Sequence, residues 1–220
     1  MKRSYLLLLF GIGGTAAAQS SDISSARLRD IWVNVGWSAM STSYIGTDQL
    51  TGGSAHDLQV KSGAVFAVRF DLSQGEHIGY EFQYRNSRMP LQYNYAQGAP
   101  QLQAAINEGG YSFVAYLNGR ESRARFFGTA GLQVTDFVRP SDSAIGCESA
   151  NCTVASQPPT TGGNFKVGFN YGAGAKIRIK SRYGVRFDVR QYVSGKPFNL
   201  PLSSGLLSRT EISAGFGVSF

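Results

Sequence analysis

Eight stretches of strict two-residue alternation, joined by connections that run long, short, long, short, long, short, long, constrain this chain more than any other feature. The stretches are 31–42, 59–72, 77–88, 110–118, 123–137, 166–180, 183–194 and 208–220. A period of two sends successive side chains to opposite faces of a strand. In the first stretch Ile31, Val33, Val35, Trp37 and Ala39 share one face, and Trp32, Asn34, Gly36 and Ser38 the other. In the third, Ile78, Tyr80, Phe82 and Tyr84 oppose Gly79, Glu81, Gln83 and Arg85. The long connections are 43–58, 89–109, 139–165 and 195–207, and the short ones 73–76, 119–122 and 181–182, so both ends of the ribbon fall on the short-turn side.

A soluble sandwich also alternates, so the solvent must be argued from elsewhere. Only 16% of the residues are charged, 12% are aromatic and 27 are Gly, and beyond the N-terminus no apolar run approaches the length of a membrane helix. A mean hydropathy of −0.15 agrees with that. Any membrane crossing is therefore by strands. Lipid offers no hydrogen bonds to a backbone, so such strands must close on themselves. An even number of antiparallel strands with short turns at one end and long loops at the other implies an all-β fold. We expect an eight-stranded antiparallel up-and-down transmembrane β-barrel, with short periplasmic turns and four long extracellular loops.

The N-terminus carries an export signal in outline. Lys2 and Arg3 form a positive start, Tyr5 to Gly14 an apolar segment, and Ala16, Ala17 and Ala18 a small-residue cleavage site. The expected organisation is a signal peptide over 1–18, a short lead-in over 19–30 and the barrel over 31–220. Without Lys2 and Arg3 the formal charge falls from +7 to +5, spread along the chain, and no nucleic-acid binding is read from it. The two cysteines, Cys147 and Cys152, stand in a Ser/Gly/Pro-rich stretch of an exported chain and read as a local disulfide staple. No His lies close enough to suggest a metal, and no cofactor is expected.

In a narrow barrel the apolar set faces lipid and the polar set fills the interior. The expected lumen set is Arg69, Asp71, Glu81, Arg85, Arg125, Lys176, Arg178, Arg186, Asp188, Arg190, Arg209 and Glu211, spaced by Gly. Buried charges must be paired. Tight hairpins would set Arg69 opposite Glu81, Tyr116 opposite Arg125 and Lys176 opposite Asp188. A structural plug is the first reading of these charges and an ion path the second.

These residues resemble the small OmpA-like and OmpX-like outer-membrane β-barrel proteins. The resemblance rests on the export signal, the eight strands and the final run Ile212 to Phe220, and Tyr171, Gly172, Ala173 and Gly174 resemble the penultimate hairpin of that family. It implies that Phe216, Val218 and the terminal Phe220 form the signal read by the outer-membrane assembly machinery. It further implies a bacterial cell outer membrane location after export, with outer-membrane lipid as the surroundings. OmpA carries a peptidoglycan-binding domain after its barrel, and this chain stops at Phe220, so that tether is not expected.

Some barrels of this size modify lipids at the rim, which would need a nucleophile, a base and an orienting acid together. His56 lies beside Asp57 in the first long connection and His77 at a short turn, and neither has a Ser two residues away, which departs from the lipid A deacylase pattern. No hydrolase elbow, zinc-protease or phosphate-loop motif occurs. The second long connection holds Leu91, Tyr93 and Tyr95, then a segment from Pro100 to Gly109 that reads as a short helix. The fourth holds Phe198, Leu200, Leu202, Leu206 and Leu207, a docking surface or loop packing. Tyr80, Tyr84, Tyr111, Tyr171 and Tyr183 suit interfacial girdles. The expected function is non-enzymatic: a monomeric envelope component, or a presenter of loops to an extracellular partner. A narrow pore comes second and a lipid-modifying enzyme third.

Overall fold

The computed structural model describes residues 29–47, 53–94, 102–138, 164–180, 182–200 and 202–220. The signal peptide, most of the lead-in and both cysteines lie outside the described residues. The strands are β1 (Arg29–Thr42), β2 (Tyr44–Gly46), β3 (Leu58–Val60), β4 (Gly63–Gln74), β5 (Ile78–Tyr93), β6 (Leu102–Tyr116), β7 (Ala124–Val138), β8 (Phe165–Arg178), β9 (Tyr183–Gly195) and β10 (Leu206–Ser219). The eight long ones pair antiparallel around a ring that β1 and β10 close. The short β2 and β3 pair with each other, and β3 with the far end of β5.

The register fixes the shape. Following directly opposed residues from Asp30 through Asp71, Glu81, Ser112, Gly131, Asn170, Tyr192 and Arg209 returns to β1 at Met40, ten residues from the start. With eight strands, a rise of roughly 3.3 Å and a spacing of roughly 4.8 Å, that stagger tilts the strands by about 40°. The tube is narrow enough for side chains to fill. Glycine makes room for them: a Cβ at Gly131 would stand 2.1 Å from the Tyr111 carbonyl oxygen, and one at Gly217 would stand 2.4 Å from the Trp32 ring.

The two faces are inverted relative to a soluble protein. Val35 (62% exposed), Leu132 (67%) and Ile212 (64%) point outward, whereas Arg69, Glu81 and Arg186 are wholly buried inside. The five expected girdle tyrosines lie on the outward face, in strands where the inner residues alternate with them. At the short-turn end the ribbon ends meet: the Arg29 N–H donates to the Phe220 carbonyl at 3.1 Å, and the Phe220 N–H to Arg29 at 2.9 Å.

The other end differs from the sequence expectation. Residues 102–109 are not a helix but the first half of β6, paired with β5 and β7. The second long connection shrinks to 94–101. Leu91, Phe198, Leu200 and Leu207 join Ile45, Leu58, Val60, Met89, Ile106 and Phe137 in one buried apolar cluster. Met89, Leu91, Ile106, Phe137 and Leu207 belong to the inward rows of β5, β6, β7 and β10, so the cluster sits in the mouth of the tube. Leu202 and Leu206 remain exposed.

Candidate functional site

The lumen is the candidate site, because there a period of two brings charge from seven of the eight long strands, all but β7, into one space. Six cations, Arg69, Arg85, Lys176, Arg186, Arg190 and Arg209, meet six anions, Asp30, Asp71, Glu81, Glu108, Asp188 and Glu211. None of the twelve is more than 6% exposed.

The pairs form one continuous chain along the axis. Near the short turns Lys176 Nζ bridges Asp30 at 2.9 Å and Asp71 at 2.5 Å. Arg186 then ties Asp71 (2.8 Å) to Glu81 (2.5 Å) and Asp188 (2.7 Å). Arg190 shares Glu81 at 2.7 Å and Asp188 at 3.0 Å, and Arg69 links Asp188 to Glu211, each at 3.1 Å. Glu211 accepts from Arg85, which pairs with Glu108 at 2.5 Å, and Glu108 accepts from Arg209. Rings fill the gaps: the Arg85 guanidinium lies 3.6 Å from the centre of Tyr192, and Arg186 lies 4.7 Å from that of Phe127.

The charges cancel within the tube, which is what a buried set requires, since an uncompensated ion there costs several kcal/mol. The arrangement holds the wall from inside and leaves no guanidinium in the six free to meet a solute. Above it the apolar cluster closes the mouth, with a residual cavity of about 10 Å³ between Val60, Met89, Ile106 and Phe198, near the limit for a single water.

Ten of the twelve residues expected in the lumen belong to this chain. Arg125 and Arg178 do not: they stand at the short-turn mouth, donating to the backbone carbonyls of Glu76 at 2.8 Å and Arg120 at 2.9 Å. Asp30 and Glu108 were not anticipated, though each lies two residues before an inward neighbour, Trp32 and Gly110. The expected hairpin partners are each displaced by two residues. Arg69 faces Gln83, and Asp71 faces Glu81. Tyr116 faces Phe127, and Lys176 faces Arg186. The Tyr116 ring nevertheless carries the Arg125 guanidinium at 3.6 Å, as a diagonal contact.

His56 and Asp57 do not form an acid-oriented base. The His56 ring packs on Tyr44 with centroids 4.4 Å apart, and Asp57 Oδ2 accepts from Thr47 Oγ1 at 2.6 Å and the Ser54 N–H at 2.8 Å. His77 Nδ1 lies 3.0 Å from the Tyr116 carbonyl oxygen. Among the described residues no group of His, Cys, Asp or Glu side chains is arranged to hold a metal ion. Phe216 and Val218 face outward on β10, and Phe220, just past its end, is exposed too.

No family model and no curated protein matches the chain. Among solved structures it is similar to Neisserial surface protein A (NspA), with a TM-score of 0.55 and 15% identity over 87% of this chain and 97% of that one. It is also similar to the outer membrane protein OprG from Pseudomonas aeruginosa, with a TM-score of 0.54 and 14% identity over 90% of this chain and 99% of that one. The closed ring of eight antiparallel strands, the outward apolar rows and these two likenesses together identify the fold as that of the small eight-stranded outer-membrane barrels.

Proposed function

We propose that the chain is exported to the bacterial outer membrane and acts there as a closed, non-enzymatic barrel, an envelope component that holds its long connections at the cell surface for an extracellular partner. The observation that carries this reading is the doubly closed lumen: a charge-neutral network through the middle and an apolar cluster in the mouth. An ion path would need a continuous wet route beside charges that could release a solute, and here each of the six cations is held by a carboxylate. The outer-membrane assembly machinery is the proposed partner during insertion, through the outward row Phe216, Val218 and Phe220, and lipid is the medium around a single chain.

Planar-bilayer recording tests the closed state. The purified protein is expected to give no steady openings. Ohmic conductance that changes with Glu81→Gln would overturn the reading in favour of a narrow pore. Replacing the loop 139–164 by a short turn should leave folding intact and abolish binding to whichever surface ligand the intact protein captures.

A further inference from the structure

The positive excess of this chain is concentrated rather than spread. Within the lumen six cations cancel six anions. At the short-turn end, among the described residues, the turns and flanking strand ends carry seven cations, including Arg120, Arg123, Arg125 and Arg178, against only Glu76 and Glu121. Three of these cations, Arg123, Arg125 and Arg178, line a cleft of about 30 Å³ where the lumen opens, together with Trp32 and Ser122. Asp30 also lines its inner end, but that carboxylate is held by Lys176 at 2.9 Å.

Arg125 sets the chemistry of the cleft. It is 4% exposed, stacked on Tyr116 and bonded to the Glu76 carbonyl, with no carboxylate within 4.0 Å among the described residues. Its Nε–H has no hydrogen-bond partner, and neither has the indole N–H of Trp32, itself 3% exposed. A buried guanidinium whose direct partners are a ring and a carbonyl, with Asp30 acting on it only at longer range and tied to Lys176, and with a second orphan donor beside it, leaves a place for an anion with several acceptor oxygens. Guanidinium groups pair with phosphate in that way, through two parallel N–H donors, and the exposed Arg123 and Ser122 add donors at the rim.

We infer that this cleft is a phosphate-binding site, made by Arg123, Arg125 and Ser122 with the Trp32 N–H at its base. The barrel's rim supplies a natural source, the head group of an anionic phospholipid in the leaflet around the short turns, drawn there by the local charge. Free phosphate offers the same chemistry. Only the lipid source rests on the membrane reading above, because binding of the inorganic ion needs no membrane.

Trp32 is a built-in reporter. The chain has 2 Trp, and Trp37 faces outward, so Trp37→Phe leaves Trp32 in the cleft as the single tryptophan, excited selectively at the red edge of its absorption. The protein, purified in a nonionic detergent, is titrated with phosphatidylglycerol, phosphatidylcholine or inorganic phosphate. A saturable Trp32 response to phosphatidylglycerol at a concentration at least tenfold below that of phosphatidylcholine supports the site with lipid as its source. A saturable response to inorganic phosphate alone supports it with the free ion as source. No saturable response, or equal responses to the two lipids, overturns it. Arg123→Gln with Arg125→Gln should raise the half-saturating concentration at least tenfold, whereas Lys61→Gln with Lys196→Gln, at the opposite end, should leave it unchanged. Equal effects from the two pairs would also overturn the site. Heat-dependent gel migration reports folding, and if the Arg125 variant does not fold, the exposed Arg123→Gln alone should still weaken binding at least threefold.

Discussion

Glu81→Gln is the sharpest test of how the barrel is held from within. The substitution removes one negative charge from the middle of the lumen and leaves side-chain volume almost unchanged. Around it, Arg186 Nη2 stands 2.5 Å and Arg190 Nη1 2.7 Å from the Glu81 oxygens, with Arg69 Nε at 3.9 Å. Removing one partner of a buried ion pair costs about 3–5 kcal/mol. Arg186 and Arg190 keep Asp188, and Arg186 also keeps Asp71, so the low end, about 3 kcal/mol, is the expected loss. That is a large share of a native stability of about 5–15 kcal/mol. In urea, with a slope of about 1–3 kcal/mol per molar, the midpoint should fall by about 1–3 M. The assay is equilibrium unfolding of the detergent-folded protein, followed by tryptophan fluorescence and by gel migration. Glu76→Gln is the matched control: the Glu76 side chain is 74% exposed and 3.9 Å from His77, the setting in which an ion pair contributes least. Equal midpoints for the two variants would refute the claim that the lumen network stabilises the wall. Adding Arg190→Gln to Glu81→Gln restores neutrality and should recover part of the loss, a coupling of about 1–3 kcal/mol.

Further substitutions probe the outer face, the close-packed lumen wall and the mouth. Val33→Arg, in the middle of the outward row from Ile31 to Trp37, should destabilise the barrel in bilayers by about 2–4 kcal/mol, and a change within about 0.5 kcal/mol, as on a water-exposed strand, would contradict the lipid-facing assignment. Gly131→Val should prevent the folded gel band from forming, because its Cβ meets the Tyr111 carbonyl at 2.1 Å, whereas Gly109→Ala, with nothing within 4 Å, should fold normally. Phe198→Ala should lower stability by about 3–5 kcal/mol through loss of a buried ring and yet leave the bilayer silent, since the charged network lies below it. An open channel in that variant would show that the apolar cluster alone seals the tube.

Alternation in the sequence was enough to place side chains on the correct face, because an error of two residues along a strand changes the partner without changing the side. That is what happened at three hairpins: Arg69, Tyr116 and Lys176 are inward as expected, but each sits opposite a residue two positions from the one anticipated. Turn length sets that register, and the tight turns implied by Gly75 and Gly119 did not determine it. The segment after Pro100 misled for a different reason. Pro100 at its start, Gly109 at its end and Gln, Ala and Glu between them favour a helix locally, and pairing on both sides by β5 and β7 overrides that preference. Glu108 was lost with it, and so was the recognition that Met89, Leu91 and Ile106 continue inward rows. Their alternation persists, but its meaning changes from polar-in to apolar-in where the tube leaves the lipid and needs a stopper instead of a charge.

The mutual hydrogen bonds of Arg29 and Phe220 carry a consequence for biogenesis. A cylinder whose final seam joins its earliest stave to its latest has no intermediate with a finished wall. Every partly zipped form exposes two raw edges, and raw edges in water seek one another across molecules. Closing all eight staves together, with hydrocarbon already at hand, is the route that leaves those margins bare for the shortest time.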